Sequence, residues 1–133
     1  MSSTTTRSNV ELVETLYDAF ADGDMERMMA GWATDIEWVA VAGGPYGGTY
    51  TGPQAVAEGV IQPLAEDWRE FGLVEKAFLD AGDTVVVTGT VDATAADSGE
   101  TIEASFAHVL TVEDGRVTRF VEYADSHLLR QAL

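Results

Sequence analysis

A chain of 133 residues has the length of one domain, and with 46% hydrophobic residues it can bury a core without disulfide or metal staples. Its 23 acidic residues against 7 basic ones, with Lys76 the only lysine, give a formal net charge of −16, which makes nucleic acid and anionic membrane poor partners because both need positive charge to displace counterions. The absence of cysteine removes disulfides, thiolate nucleophiles and cysteine metal sites, and fits a cytoplasmic protein.

The opening MetSerSerThrThrThrArgSer is polar and has no apolar signal-peptide core, so residues 1–8 are expected to form a flexible tail on a single domain spanning 1–133. Val10, Val13, Leu16, Tyr17 and Phe20 then recur at helical spacing, and Ser8 with Glu11 has the form of a capping box. Gly23 suits the left-handed stop, and Asp24 can cap a short second helix with Met25, Met28 and Met29 on its apolar side. Ile36, Trp38 and Ala40 alternate with Glu37, Val39 and Val41 as a strand. The glycine-rich segment at 43–52 follows; it lacks the lysine and the Ser or Thr of a phosphate loop and reads as a mobile lid. Pro53 opens a third helix whose inner stripe is Val56, Val60 and Leu64, and Pro63 is expected to kink or end it.

From Trp68 the pattern becomes four long strands separated by turn signals at 80–83, 96–99 and 113–115. Helices first and strands last predict an α+β fold, in which three N-terminal helices pack on a curved, mostly antiparallel sheet. Such a sheet leaves a hollow at its concave face, the usual place for a small ligand. His108 lies on a strand whose apolar face reads Ile102, Ala104, Phe106, His108, Leu110 and Val112, which turns it inward. His108 and His127 do not have metal-ligand spacing, so no metal or cofactor is expected.

Several short pieces, in order, resemble the SnoaL-like branch of the nuclear-transport-factor-like superfamily. They are LeuTyrAspAlaPheAlaAspGlyAsp at 16–24, TrpAlaThrAspIleGluTrp at 32–38, TyrGlyGlyThrTyrThrGlyPro at 46–53, and the run from Phe106 through Ala124 to Asp125 with LeuLeuArgGln beyond it. The resemblance implies a cystatin-like cone around one pocket, with ketosteroid-isomerase-like, epoxide-hydrolase or polyketide-cyclase-like chemistry.

Each chemistry is tested on the residues present. The isomerase base falls at Ala40 and the acidic donor at Ala107, beside His108, while Tyr17 is one residue out of register with the isomerase tyrosine. For the epoxide hydrolases, Asp125 matches one aspartate, but Gly89 and Val91 stand where the arginine and the second aspartate are needed. The cyclases keep an acid/base aspartate near the end of the last strand, and Asp125 resembles it.

The resemblance therefore implies Asp125 and His108 as the catalytic pair, directly or through one water. Trp38 and Tyr50 would stand near the pocket opening, with Tyr17 and Phe106 in its lining. On an unbulged last strand Tyr123 and Arg119 share the parity of Asp125. Two functions stay open: a cyclase-like or isomerase-like enzyme acting on a small apolar or cyclic ligand, and a non-catalytic binding or accessory protein. Proteins of this group commonly pair through the outer face of the sheet, and the strands here alternate Thr, Val and Phe on both faces, as in Val85, Val87, Phe120 and their neighbours, which implies a homodimer.

The acidic residues are scattered rather than gathered into an arm, the pattern of a surface adapted to concentrated salt, which screens self-repulsion. On this halophilic reading the melting temperature rises steeply from low to molar potassium chloride. A melting temperature flat across that range rules it out.

Overall fold

The computed structural model describes residues 8–133 and has the expected α+β architecture; the tail expected over residues 1–8 falls outside the described residues except for Ser8. Ser8 caps α1 (Asn9–Ala21) reciprocally, its hydroxyl accepting from the Glu11 N–H at 3.1 Å while its own N–H donates to the Glu11 carboxylate at 3.2 Å. Gly23 takes the left-handed conformation with φ 72°, and Asp24 caps α2 (Met25–Met29). The third helix does not end at Pro63. Instead α3 (Pro53–Val56) passes through a π-helical turn (Ala57–Ile61) into α4 (Gln62–Asp67). The wider turn changes the hydrogen-bond register just where proline has no N–H to give, so the helix continues.

The sheet has six strands in the order β2-β1-β6-β5-β4-β3. β1 (Trp32–Ala40) runs parallel to β6 (Arg116–Ala124), and the other neighbours are antiparallel: β2 (Gly48–Thr51), β3 (Trp68–Ala81), β4 (Thr84–Ala95) and β5 (Thr101–Glu113). Two features depart from the expectation. The segment read as a lid contributes β2, because Thr49, Tyr50 and Thr51 favour extended backbone and pair with the edge of β1. The last residues form a further helix, α5 (Ser126–Ala132), which packs against β5.

Of the irregularities in the sheet, two bear on the site. In β3, Glu75 and Lys76 stand against the single residue Gly89 of β4, because Val74 pairs with Thr90 and Ala77 with Thr88. Glu75 has φ 54°, and a Cβ on Gly89 would lie 2.8 Å from both the Val74 carbonyl and the Phe106 ring. Glycine is thus required at the place where the strand pair bends, and the bend wraps the sheet around α1. In β6 the two-residue Asp114–Gly115 turn, both residues at positive φ, pairs Val112 with Val117. The next pair is Thr111 with Arg119, leaving Thr118 as an extra residue.

Under the concave face the core includes Val13, Leu16 and Ala19 of α1, Val56 and Val60 of the third helix, Ile36, and the inward residues of β4 to β6. Val85, Val87 and Phe120 are buried in this core. The outer face instead carries Val86, Thr88, Val109 and Tyr123, the alternate residues of the same strands. Among the described residues no helix is long and apolar enough to cross a membrane.

Candidate functional site

The curved sheet and the helices over it enclose a cavity of about 90 Å³, lined mainly by apolar and aromatic side chains that include Phe20, Trp32, Trp38, Phe71 and Phe120. Trp38 stacks on Phe120 with ring centroids 3.7 Å apart. Three polar side chains reach this wall: Tyr17 from α1, His108 from β5 and Glu122 from β6. A smaller hollow of about 30 Å³ shares Glu122 and is bounded by Ala40, Tyr46 and Trp68.

His108 and Glu122 are directly opposed across the β5–β6 ladder, so their side chains leave the sheet on the same face as neighbours. The Tyr17 hydroxyl lies 2.5 Å from His108 Nδ1. The imidazole also sits against Phe106 and Phe120, with centroids 4.3 and 4.7 Å away. Burial among these rings disfavours the imidazolium and pushes the His108 pKa from the usual 6.5 down to about 3. The same loss of water raises the Tyr17 pKa far above its ordinary value, so the phenol keeps its proton. Burial also raises the Glu122 carboxyl, a shift opposed by the hydrogen bond that Oε1 accepts from the Val41 N–H at 3.1 Å.

At the rim, Tyr46 donates to Asp67 at 2.9 Å and accepts from the Trp68 indole at 3.1 Å. Arg130 of α5 fastens the glycine-rich segment by donating to the Gly43 carbonyl at 2.5 Å and to that of Gly44 at 3.3 Å.

Of the residues expected at a site, the structure brings together His108, Tyr17 and Trp38. Phe106 packs beside His108 without reaching the cavity wall. Tyr50 pairs with Trp38 across β1–β2, but its ring lies against Gly59, where any Cβ would overlap it, and its hydroxyl donates to the Tyr46 carbonyl.

Three expected residues lie away from the cavity. Asp125 is exposed, and its carboxylate accepts from the Leu128 N–H at 3.2 Å as the cap of α5, so it does not meet His108. Arg119 is exposed and pairs with Glu37 at 2.7 Å. Tyr123 is 56% exposed. For Arg119 and Tyr123 the cause is common: without Thr118 as an extra residue the odd-numbered side chains of β6 would share the face of His108, and the bulge hands that face to Phe120 and Glu122, while Asp125 lies past the end of β6 at the head of α5. Glu122 is accordingly the residue that sequence reasoning missed. The available signal was the β6 pair Phe120 and Glu122, one aromatic and one acid two residues apart, which becomes an inward pair only when the bulge is known.

Comparison with known proteins supplies the family context. The profile of the SnoaL-like domain matches residues 13–120. An NTF2-like protein of Burkholderia thailandensis is 34% identical, with 96% of this chain and 98% of that chain covered and a TM-score of 0.91. TerC, co-crystallized with polyporic acid, is 29% identical over 93% of this chain and 96% of its own, with a TM-score of 0.83. A proposed polyketide cyclase of Pseudomonas putida, 20% identical over 96% of this chain and 98% of its own with a TM-score of 0.83, shares the fold. No curated protein matches the sequence.

The buried imidazole makes stability depend on pH with a definite sign. Because the folded-state pKa of His108 is depressed, the unfolded chain binds the proton first, and the contribution is complete above about pH 6.5 and declines as pH falls toward 3. The raised carboxyl of Glu122 acts in the opposite sense. Denaturant unfolding should therefore show stability falling by on the order of a few kcal/mol between pH 6.5 and 4. His108→Gln should flatten that slope; an unchanged slope in the variant would assign it to other groups.

Proposed function

The chain belongs to the SnoaL-like domain family, within the NTF2-like superfamily, and from that premise we propose that it binds a small cyclic carbonyl compound and moves a proton at the carbon next to the carbonyl. The observation that carries this reading is the pairing of Glu122 with His108 on one wall of an aromatic cavity. Proton removal from carbon needs a base whose pKa is brought up toward that of its task and a donor for the enolate oxygen. Glu122, raised by burial, supplies the first in this reading and His108 the second. Asp125 is not proposed as the acid/base, since its carboxylate is occupied at a helix end.

The surroundings support the ligand class. The cavity walls are apolar and largely aromatic, and TerC was co-crystallized with polyporic acid. A volume of about 90 Å³ is well under the roughly 300–1,000 Å³ typical of drug-sized ligands, so the occupant is one ring, or one ring of a longer molecule. That tightness also favours the second reading, a pocket that holds its ligand without turnover.

We assign the protein in addition to a single domain over 1–133 and to the cytoplasm, as a homodimer without nucleic-acid or membrane partners. The dimer reading rests on the outer sheet face, where exposed Tyr123 lies near half-buried Val109 and Val86.

Two measurements check these assignments. In heavy water, the protein should accelerate deuterium exchange at the carbon beside the carbonyl of cyclohex-2-enone, followed by NMR. The rate should rise with pH as Glu122 ionises above its raised pKa, and Glu122→Gln should lower it by about 10²-fold or more while leaving binding intact. Binding with no exchange above buffer selects the non-catalytic reading. Sedimentation at micromolar protein in high salt should give twice the monomer mass, and a monomer there removes the dimer.

A further inference from the structure

The contact between Tyr17 and His108 admits two proton arrangements with different consequences for the cavity. If the phenol donates, Nδ1 accepts and the imidazole proton sits on Nε2. If Nδ1–H donates instead, the phenol proton and the Nε2 lone pair are both without a protein partner, because Nδ1 is the hydrogen-bond partner of the Tyr17 hydroxyl. Two unmade bonds in an apolar setting cost more than one, so the first arrangement is favoured.

The remaining nitrogen has a definite place. Among the described residues no fully enclosed side-chain nitrogen or oxygen lacks a hydrogen-bond partner, so Nε2, which has none, keeps some accessible surface. His108 lines the cavity, and that surface faces it. The groups around the ring do not compete for this position. Across β4 the neighbour is Val87, Phe106 and Phe120 cover the ring, and Phe78 packs edge-on against Tyr17. Glu122 is the ionisable neighbour on β6, and its carboxylate accepts a hydrogen bond from the Val41 N–H.

We propose that Tyr17 is a positioning residue that donates its hydroxyl proton to Nδ1 of His108 and fixes the neutral Nε2–H tautomer, so that the cavity offers an uncharged N–H donor and selects cyclic ligands with a carbonyl acceptor. Tyr17 thereby acts through the imidazole, and its own hydroxyl is not available to the ligand. An uncharged donor suits a dry site, since it stabilises a developing enolate without a buried cation in the resting protein.

This deepens the carbonyl-ligand reading and rests on it for the ligand, whereas the tautomer is a property of the protein alone. Two-bond proton–nitrogen NMR of the ¹⁵N-labelled protein tests it, with His127→Gln to distinguish the two histidines. The expected spectrum at pH 7 and at pH 5 shows one His108 species, protonated at Nε2 and bare at Nδ1. Tyr17→Phe should mix the tautomers. A proton on Nδ1 in the parent protein, or equal populations there, overturns the assignment, and needs no variant to fold.

Titration with cyclohex-2-enone and with cyclohexene, the same ring without oxygen, then tests selection. The enone should move the Nε2–H resonance downfield and bind about five-fold tighter, the weight of one net hydrogen bond. Equal binding with Nε2–H unmoved overturns the donor role. Binding of neither ring, with the expected tautomer present, overturns the carbonyl selection together with the ligand reading of the cavity.

Discussion

Thr118 has no partner in the ladder between β5 and β6, and the composition of the cavity follows from that. On one side of it the Asp114–Gly115 turn sets Val117 opposite Val112; on the other, Arg119 stands opposite Thr111. Side chains alternate faces with a period of two, so one extra residue exchanges the two faces of everything beyond it. Phe120 and Glu122 go in, and Arg119 and Tyr123 go out. The Thr118 hydroxyl donates to the Glu113 carboxylate at 3.2 Å and lies 3.4 Å from the Thr111 carbonyl, which ties the bulge to the strand it interrupts.

The electrostatics of the site then depend on the rings that surround it. Desolvation acts on His108 and Glu122 in the same physical way, against the charged form, and so moves their pKa values in opposite directions. The imidazole becomes a neutral donor or acceptor across the physiological range, and the carboxyl becomes a stronger base once ionised. The backbone N–H of Val41 moderates the second effect, because a carboxylate with one hydrogen bond is less costly to bury than a bare one. Ala40 contributes by being small. Where the isomerases of this superfamily would place their base, a methyl group leaves space beside the end of β1, and the Glu122 carboxyl from the adjacent strand occupies that neighbourhood.

Much of the fold was legible because it rests on local rules. The Ser8–Glu11 box, the Gly23 stop, the Asp24 cap and the turns after β3, β4 and β5 are each set by a few adjacent residues, and all stand where the sequence puts them. The inward histidine was legible for the same reason: β5 alternates without interruption from Ile102 to Val112. What escaped depends on pairing between distant residues. β2 owes its existence to the edge of β1, and the continuation of the third helix past Pro63 to a π-helical turn. Asp125 was drawn toward the site by resemblance in sequence, yet it has the residue type and position of a helix cap, with Ser126 opening α5 behind it.

The two bulges have related consequences at different scales. The one at Glu75 and Lys76 bends β3 and β4 around α1, and Gly89 is the residue that permits it. The bend brings α1 and β5 within reach of each other, and Tyr17 meets His108 across that gap. The bulge at Thr118 then sets Glu122 beside the same imidazole. A carboxyl, an imidazole and a phenol from three elements thus converge through two local insertions in the strand ladders. Chemistry on this scaffold can therefore change without any change of topology, because shifting one unpaired residue along β6 replaces an inward acid by an outward one. The residue to examine first in a relative is then not the aligned aspartate but the position of the bulge that precedes it.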